Sequence, residues 1–177
     1  LKKAIKKELP IFQKAKKIGK DLVSITSFFK KNKSYTGKLS DEKKHVNNMK
    51  KAILMVLGKA AAIFKEKIEH EQELLLKIAD MVIETYMAES ALLRAEKLNK
   101  NNHLQIYIAK NYLIRALEIC QKNGHQTICS FDINATTKKI MIRGIDKFCK
   151  KPNYNIVEIR RKIANDVIKK GKYSYYI

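Results

Sequence analysis

The stretch EQELLLKIADMVIETYMAESALLRAEKL, residues 71–98, decides the fold because it carries the longest clean helical pattern of the chain. Its apolar residues recur at steps of three and four, which places them on one stripe of an α-helix. No Gly or Pro interrupts it, and most of its residues are good helix formers. We predict a central helix against which the other helices pack. Its predicted buried stripe consists of Leu74, Ile78, Met81, Val82, Thr85, Ala88, Leu92 and Leu93.

The rest of the chain continues this pattern, and no segment shows the period-two alternation that is typical of a β-strand. Only six Gly and two Pro occur in 177 residues, so long helices are permitted and many tight turns are not. We therefore predict an all-α fold, an antiparallel helical bundle of about six helices around residues 71–98. The predicted helices cover residues 1–22, 40–67, 71–98, 103–123, 135–150 and a last segment that starts at Asn155.

Two helix starts carry capping signals. Ser40 is predicted to be the N-cap of the second helix, where Asp41 and Glu42 suit the positive end of the helix dipole. Asn155, with Glu158 three residues later, is predicted to form a capping box at the start of the last helix.

The second and fourth helices carry further predictions. The middle of the second, residues 52–64, is apolar nearly all round, which predicts burial between other helices and leaves a membrane-inserting face as the alternative. Asn123-Gly124 is predicted to end the fourth helix, because Gly commonly follows a helix C-terminus. Residues 125–134 are then a loop or a short irregular piece.

Chain length predicts one compact domain overall, with an internal division at a polar loop. Residues 1–39 are expected to form a basic amphipathic helix, docked by one face on the core, and a linker loop. Residues 40–177 are expected to form the helical bundle. The chain begins on Leu1, and we expect it to be a piece of a longer protein.

The charge is strongly positive, with 38 Lys and Arg against 17 Asp and Glu and a formal net charge of +21. Such a charge suggests a polyanionic partner, either nucleic acid or a membrane surface. Only five of the basic residues are Arg, however, whereas proteins that bind phosphates usually favour the bidentate guanidinium. Lys, Asn and Ile are also the residues that codons of an AT-rich genome favour. We therefore do not expect a nucleic-acid partner.

Cys120, Cys129 and Cys149 form an odd set without a CxxC pair, which indicates reduced thiols and a cytoplasmic location. The most apolar run, residues 52–57, is far shorter than the ~20 residues that span a bilayer. The N-terminal residues LKKAIKKELP lack the apolar core of a signal peptide.

No motif for nucleotide binding, zinc hydrolysis or serine catalysis occurs, and we predict no catalytic, cofactor-binding or metal-binding residue within the chain. The four histidines are scattered, although His125 and Cys129 lie four residues apart in the expected loop. The histidines are His45, His70, His103 and His125. None of the three cysteines has an identifiable base beside it.

The carboxylates Glu84, Glu89 and Glu96 lie on the central helix. Glu89 adjoins the apolar stripe, and a partly buried Glu with a raised pKa could act as a general base. The preferred interpretation is structural, with each Glu held by a Lys or Arg of a neighbouring helix.

Several segments together resemble the acyl-CoA dehydrogenases, in particular the helical C-terminal extension of the very-long-chain type and its bacterial relatives. IADMVIETYMAESALLRAEK, with its AESALLRAEK core, carries most of the resemblance. Three weaker segments agree in order, so nearly the whole chain is covered. These are AKKIGKDLVSI (15–25), KKAILMVLGKAA (50–61) and IRGIDKFCKKPNYNIVEIRRKIAN (142–165).

The resemblance implies a carboxyl-terminal module without its own chemistry. In the family, the catalytic Glu commonly lies near an EGT-type motif of the dehydrogenase core, and this chain has no such motif. The flavin and acyl-CoA pockets belong to that core as well, so FAD is implied for a parent enzyme and for no residue here. The implied partners are the catalytic portion of the same enzyme and a homo-oligomer, and peripheral membrane contact stays open.

A second hypothesis is a basic helical adaptor that binds an anionic membrane or nucleic acid. It rests on the Lys-rich face of residues 1–20 and on the total charge. It differs from the first in predicting salt-dependent binding.

Overall fold

The computed structural model describes Gly37 and residues 39–98 and 103–172, which form five α-helices and one short 3-10 helix. In chain order the α-helices are α1 (Ser40–Phe64), α2 (Gln72–Leu98), α3 (His103–Cys129), α4 (Ala135–Phe148) and α5 (Ile156–Lys170). The 3-10 helix, Lys65–His70, joins α1 to α2. No strand occurs among these residues, so the all-α prediction is confirmed. The predicted first helix, 1–22, and most of the linker that follows lie outside the described residues.

The order of side-chain contacts shows that successive long helices run antiparallel. Lys43 and Lys50 of α1 contact Glu96 and Glu89 of α2, respectively, so positions that rise along α1 fall along α2. The contacts between α2 and α3 run in the same opposed order. They pair Lys77 with Gln126, Met81 with Cys120, and Glu84 with Tyr112.

The hub of the bundle is α3, because it packs against α1, α2, α4 and α5. The prediction that residues 71–98 form the central helix is therefore wrong, although α2 shares its most extensive interface with α3. The physical reason is that α2 buries one side only and exposes large apolar side chains on the other. Helix α3 instead buries residues around much of its circumference. They include Ala109, Leu113, Ile114, Ala116, Leu117, Cys120 and Ile128.

Six of the eight predicted stripe residues of α2 are buried, from Leu74 to Leu92. The prediction of burial is wrong for Val82 and Leu93, since their side chains are 46% and 52% exposed. Each directly follows a buried residue, Met81 or Leu92, and so lies about 100° further round the helix. Only one member of such an adjacent pair can face α3.

The fourth predicted helix does not stop at Asn123-Gly124, because α3 continues to Cys129 and the loop shortens to residues 130–134. Gly124 lies inside the helix, where a Cβ atom would come within 2.8 Å of Ile145 Cδ1 on α4. Glycine is needed there for close packing of two helices rather than for a helix end. Asn123 is likewise buried, with its side-chain amide 3.5 Å from the carbonyl oxygen of Lys77.

The two predicted caps have different outcomes. The N-cap of α1 is Leu39 rather than Ser40, and no side chain caps this end. Leu39 is 1% exposed, so burial of an apolar side chain decides where the helix begins. The Asn155 cap is confirmed, since its side chain accepts a hydrogen bond of 3.1 Å from the backbone N–H of Glu158. The Glu158 carboxylate contacts Lys162 instead of returning to the cap.

The apolar middle of the second helix is confirmed as core, because most of its side chains are buried between α2, α3 and α4. Its buried residues are Ala52, Ile53, Met55, Val56, Gly58, Ala60 and Ala61. Among the helices of the described part, none has the length and apolar character that a bilayer crossing requires.

Candidate functional site

The three glutamates of α2 that could supply a general base are all engaged by neighbouring helices. Glu96 Oε1 and Oε2 each accept a hydrogen bond of 2.7 Å from Lys43 Nζ. Glu89 Oε1 lies 2.6 Å from Lys50 Nζ. Glu84 is held differently, because the hydroxyl of Tyr112 on α3 donates to its carboxylate at 2.8 Å. Lysine pairs are confirmed for Glu89 and Glu96, and a tyrosine takes that place for Glu84.

The environment of these carboxylates favours binding helices together over proton transfer. The Glu89 side chain is 38% exposed in a groove of about 260 Å³ between α1 and α2, with Lys43 and Lys50 beside it. Burial, and then the hydrogen bond to Glu84, raise the pKa of Tyr112 to about 12, so its hydroxyl remains a donor at neutral pH.

Sequence reasoning missed a buried polar cluster that joins the start of α1 to distant parts of the chain. Glu42 is 3% exposed, and its Oε1 lies 3.1 Å from Lys110 Nζ of α3. The hydroxyl of Tyr154, just before α5, donates to the same oxygen at 2.5 Å. Lys110 Nζ also lies 4.7 Å from the centre of the Tyr154 ring. Burial and the Glu42 carboxylate raise the pKa of Tyr154, which keeps its hydroxyl protonated.

No local signal could have found this cluster, because Glu42 and Tyr154 are 112 residues apart. From the sequence, Glu42 is predicted only to be a first-turn acid at the positive end of the helix dipole. The charge is instead buried and compensated by one cation and one hydroxyl, an arrangement that stabilises a particular packing of helices.

Two of the three cysteines are unsuited to nucleophilic chemistry. Cys120 and Cys149 are fully buried, and burial raises the pKa of the Cys120 thiol to about 11. Burial likewise raises the pKa of the Cys149 thiol. A thiol with a raised pKa carries little thiolate at neutral pH, so both behave as small apolar groups. Cys129 is exposed, and all three thiols are free.

The histidines of the described part do not converge on a common site. His125 and Cys129 lie on α3 and not in the expected loop, and His125 Nε2 is 2.9 Å from Asp146 Oδ1. His45 is half-buried beside Glu42, and burial lowers the pKa of its imidazole. In residues 39–98 and 103–172, no three His, Cys, Asp or Glu side chains come together as metal ligands would.

One side of α2 remains exposed when the described helices pack together. Between Leu76 and Leu93, eight residues are exposed, and seven of them are apolar. We call this set the α2 outer face. It consists of Leu76, Ala79, Asp80, Val82, Ile83, Tyr86, Met87 and Leu93.

A shallow groove between α2 and α3 continues from the outer face. It has a volume of about 290 Å³ and is lined by Met87 of the outer face, by Arg94 and by Gln105 of α3. The side-chain oxygen of Gln105 is buried and accepts no hydrogen bond from the described residues.

Comparison with known proteins gives concordant findings. A family model described as the acyl-CoA dehydrogenase C-terminal domain matches residues 48–147, which is more than half of the chain. A probable acyl-CoA dehydrogenase of Bacillus subtilis (strain 168) is 26% identical over 179 residues, covering 98% of this chain and 29% of that protein. The crystal structure of an acyl-CoA dehydrogenase complexed with FAD from Bacillus anthracis has 30% sequence identity and a TM-score of 0.83. That match covers 98% of this chain and 29% of the other. The chain thus spans less than a third of the length of these relatives.

Proposed function

Because this chain belongs to the acyl-CoA dehydrogenase family, we propose that it is the C-terminal helical domain of a flavin-dependent acyl-CoA dehydrogenase. The observation that carries the proposal is the structural match over nearly the whole chain to part of an enzyme that contains FAD. The proposed role of the domain is structural, namely to pack against the catalytic portion and support its oligomer.

Neither groove beside α2 has the size that a flavin site needs. The two grooves beside α2 have volumes of about 260 and 290 Å³, below the ~300–1,000 Å³ typical of pockets for drug-sized ligands. FAD is larger than such ligands. The carboxylates that could act on a substrate are held by Lys43, Lys50 and Tyr112. We therefore assign no flavin contact and no reaction step to these residues.

The proposed reaction of the parent enzyme is α,β-dehydrogenation of an acyl-CoA in fatty-acid β-oxidation, with FAD as the oxidant. The resemblance of AESALLRAEK and its flanking segments to the very-long-chain type extends the proposal to long acyl chains. A homo-oligomer in the cytoplasm completes the proposal, with peripheral membrane contact as its further possibility.

The test uses the longer protein that contains this chain, purified with and without residues 1–177. We expect flavin absorbance and acyl-CoA-dependent reduction of a dye in the intact protein, measured with acyl-CoAs of several chain lengths. Without this chain, we expect loss of thermal stability or of the oligomer. An intact protein without flavin and without acyl-CoA turnover would contradict the proposal, as would flavin bound by residues 1–177 alone.

The basic adaptor remains a second candidate because of the +21 net charge. It predicts that residues 1–177 bind anionic vesicles or DNA at low salt and that affinity falls steeply as salt rises. Neutral vesicles of the same size are the control. Absence of binding even at low salt would exclude it.

A further inference from the structure

We propose that the α2 outer face is the surface by which this chain docks on the dehydrogenase portion of the same enzyme, an inference that rests on the proposed function. Of the nine large apolar side chains exposed in the described part of the chain, seven lie on α2. Scattered exposed apolar residues are normal, but a contiguous set on one helix is typical of an interface. The concentration on α2 therefore marks this helix as a candidate interface.

The composition of the face supports the same conclusion. Lys and Arg make up 38 of the 177 residues, yet none is exposed on α2 from Leu76 to Leu93, and exposed basic residues begin only at Arg94. Lysines that accumulate by codon drift would occupy any face that water covers. Their absence here, beside Ile83 and Tyr86 at 57% and 67% exposure, indicates a face that is covered in the assembled protein.

The shape and rim of the face indicate what the partner offers. The groove at Met87 provides a depression for an apolar side chain of the partner. Arg94 and Lys97 are exposed at the C-terminal end of the face. The complementary surface therefore has an apolar centre and an acidic rim at one end.

Charge and chain length favour the dehydrogenase portion over a second copy of this chain. Two copies would each bring a net charge of +21, and that repulsion opposes their association. The relatives extend well beyond the 29% of their length that this chain matches. A partner joined through the same polypeptide also acts at a high effective concentration.

Hydroxyl-radical footprinting measures the burial directly, because Tyr86 and Met87 are both reactive and exposed in this chain. We expect several-fold slower modification of both side chains in the intact parent enzyme than in residues 1–177. Equal rates in the two proteins would overturn the proposal. This measurement needs no substrate turnover, so its result can be distinguished from failure of the proposed function.

Matched variants give the second measurement. Ile83→Asp and Tyr86→Asp are expected to lower the melting temperature of the intact enzyme and to speed its proteolytic cleavage. Neither change should alter the melting temperature of residues 1–177. The control is Ile168→Asp on α5, where the side chain is 75% exposed, and it should change neither protein.

Three results would overturn the assignment. If the α2 variants leave the intact enzyme as stable as the α5 control does, no partner covers the α2 outer face. If they destabilise residues 1–177 alone, the chain covers the face itself. If residues 1–177 sediment as a dimer that these variants dissociate, the occupant is a second copy.

Discussion

At the residue scale, Leu92 and Leu93 are a natural pair of test positions, because they are adjacent and differ sharply in exposure, at 1% and 52%. Leu92→Asp would bury a charge without a partner, and we expect it to lower the free energy of unfolding by about 3 kcal/mol or more. Leu93→Asp should change it by less than about 0.5 kcal/mol. Urea denaturation of residues 1–177 measures both, and equal effects would show that the inner side of α2 is not core.

The buried Glu42 gives a second residue-scale prediction. Lys110→Met removes its cation and leaves a carboxylate with one hydroxyl partner, which should cost about 3–5 kcal/mol of unfolding free energy. Lys151→Met is the control, since its pair with Glu118 has both side chains about half exposed. Such surface pairs contribute about 0–1 kcal/mol. If the two variants lose the same stability, Glu42 does not depend on Lys110.

His45 should make stability dependent on pH. Burial lowers the pKa of its imidazole below the ordinary 6.5, so the unfolded chain binds a proton more readily than the folded chain. Stability from this residue is therefore complete above pH 6.5 and is lost as pH falls toward the lower folded pKa. His45→Gln should flatten this part of a plot of melting temperature against pH. An unchanged slope would assign the dependence to other groups.

At the element scale, the approach of α3 and α4 depends on Gly124. Alanine normally strengthens a helix by about 1 kcal/mol relative to glycine. Here the added Cβ would meet Ile145 Cδ1 at 2.8 Å, and Ile145 is fully buried, so we expect Gly124→Ala to destabilise by about 1–3 kcal/mol. The double variant Gly124→Ala with Ile145→Val lacks the methyl group that the new Cβ would meet. It should therefore regain part of the lost stability, which thermal unfolding measures. If Gly124→Ala alone raises stability, α3 and α4 can move apart without a cost in unfolding free energy.

The same contact shows what the sequence could and could not provide. Helical periodicity and the Asn155 cap are local, so the five helices and one of their starts were predictable. Gly124 has two physical uses, as a helix terminator or as a point of close approach, and only its neighbour Ile145 on α4 decides between them. The start of α1 was set by burial of Leu39, a tertiary effect that outweighs the capping preference of Ser40.

The functional features also divide into those that the sequence could predict and those that required the fold. The Lys partners of Glu89 and Glu96 were predictable in kind because the chain is rich in lysine, although the identities Lys50 and Lys43 required the fold. The α2 outer face could not be predicted, because Leu76 or Ile83 at helical spacing is equally consistent with core. Only the packing of α3 on the opposite side shows that these side chains have no partner within the described residues.

At the scale of the whole molecule, the described helices share one core, whereas one side of α2 exposes apolar side chains. The core draws buried residues from α1 to α5 and the 3-10 helix. Among the described residues, seven of the nine exposed large apolar side chains lie on α2. This asymmetry suits the proposed docking of α2 on a larger partner.

The polar cluster at Glu42 also has a consequence for the rate at which the molecule forms and opens. Most helix pairings join neighbours along the chain, so they close short loops, whereas the Glu42–Tyr154 hydrogen bond closes a loop of 112 residues. We expect this bond to be absent from the folding transition state. Tyr154→Phe should then raise the unfolding rate by roughly fivefold for a loss of about 1 kcal/mol and leave the folding rate unchanged. Stopped-flow measurements in urea would show the effect in the unfolding limb, and a slower folding limb would show that the bond already forms in the transition state.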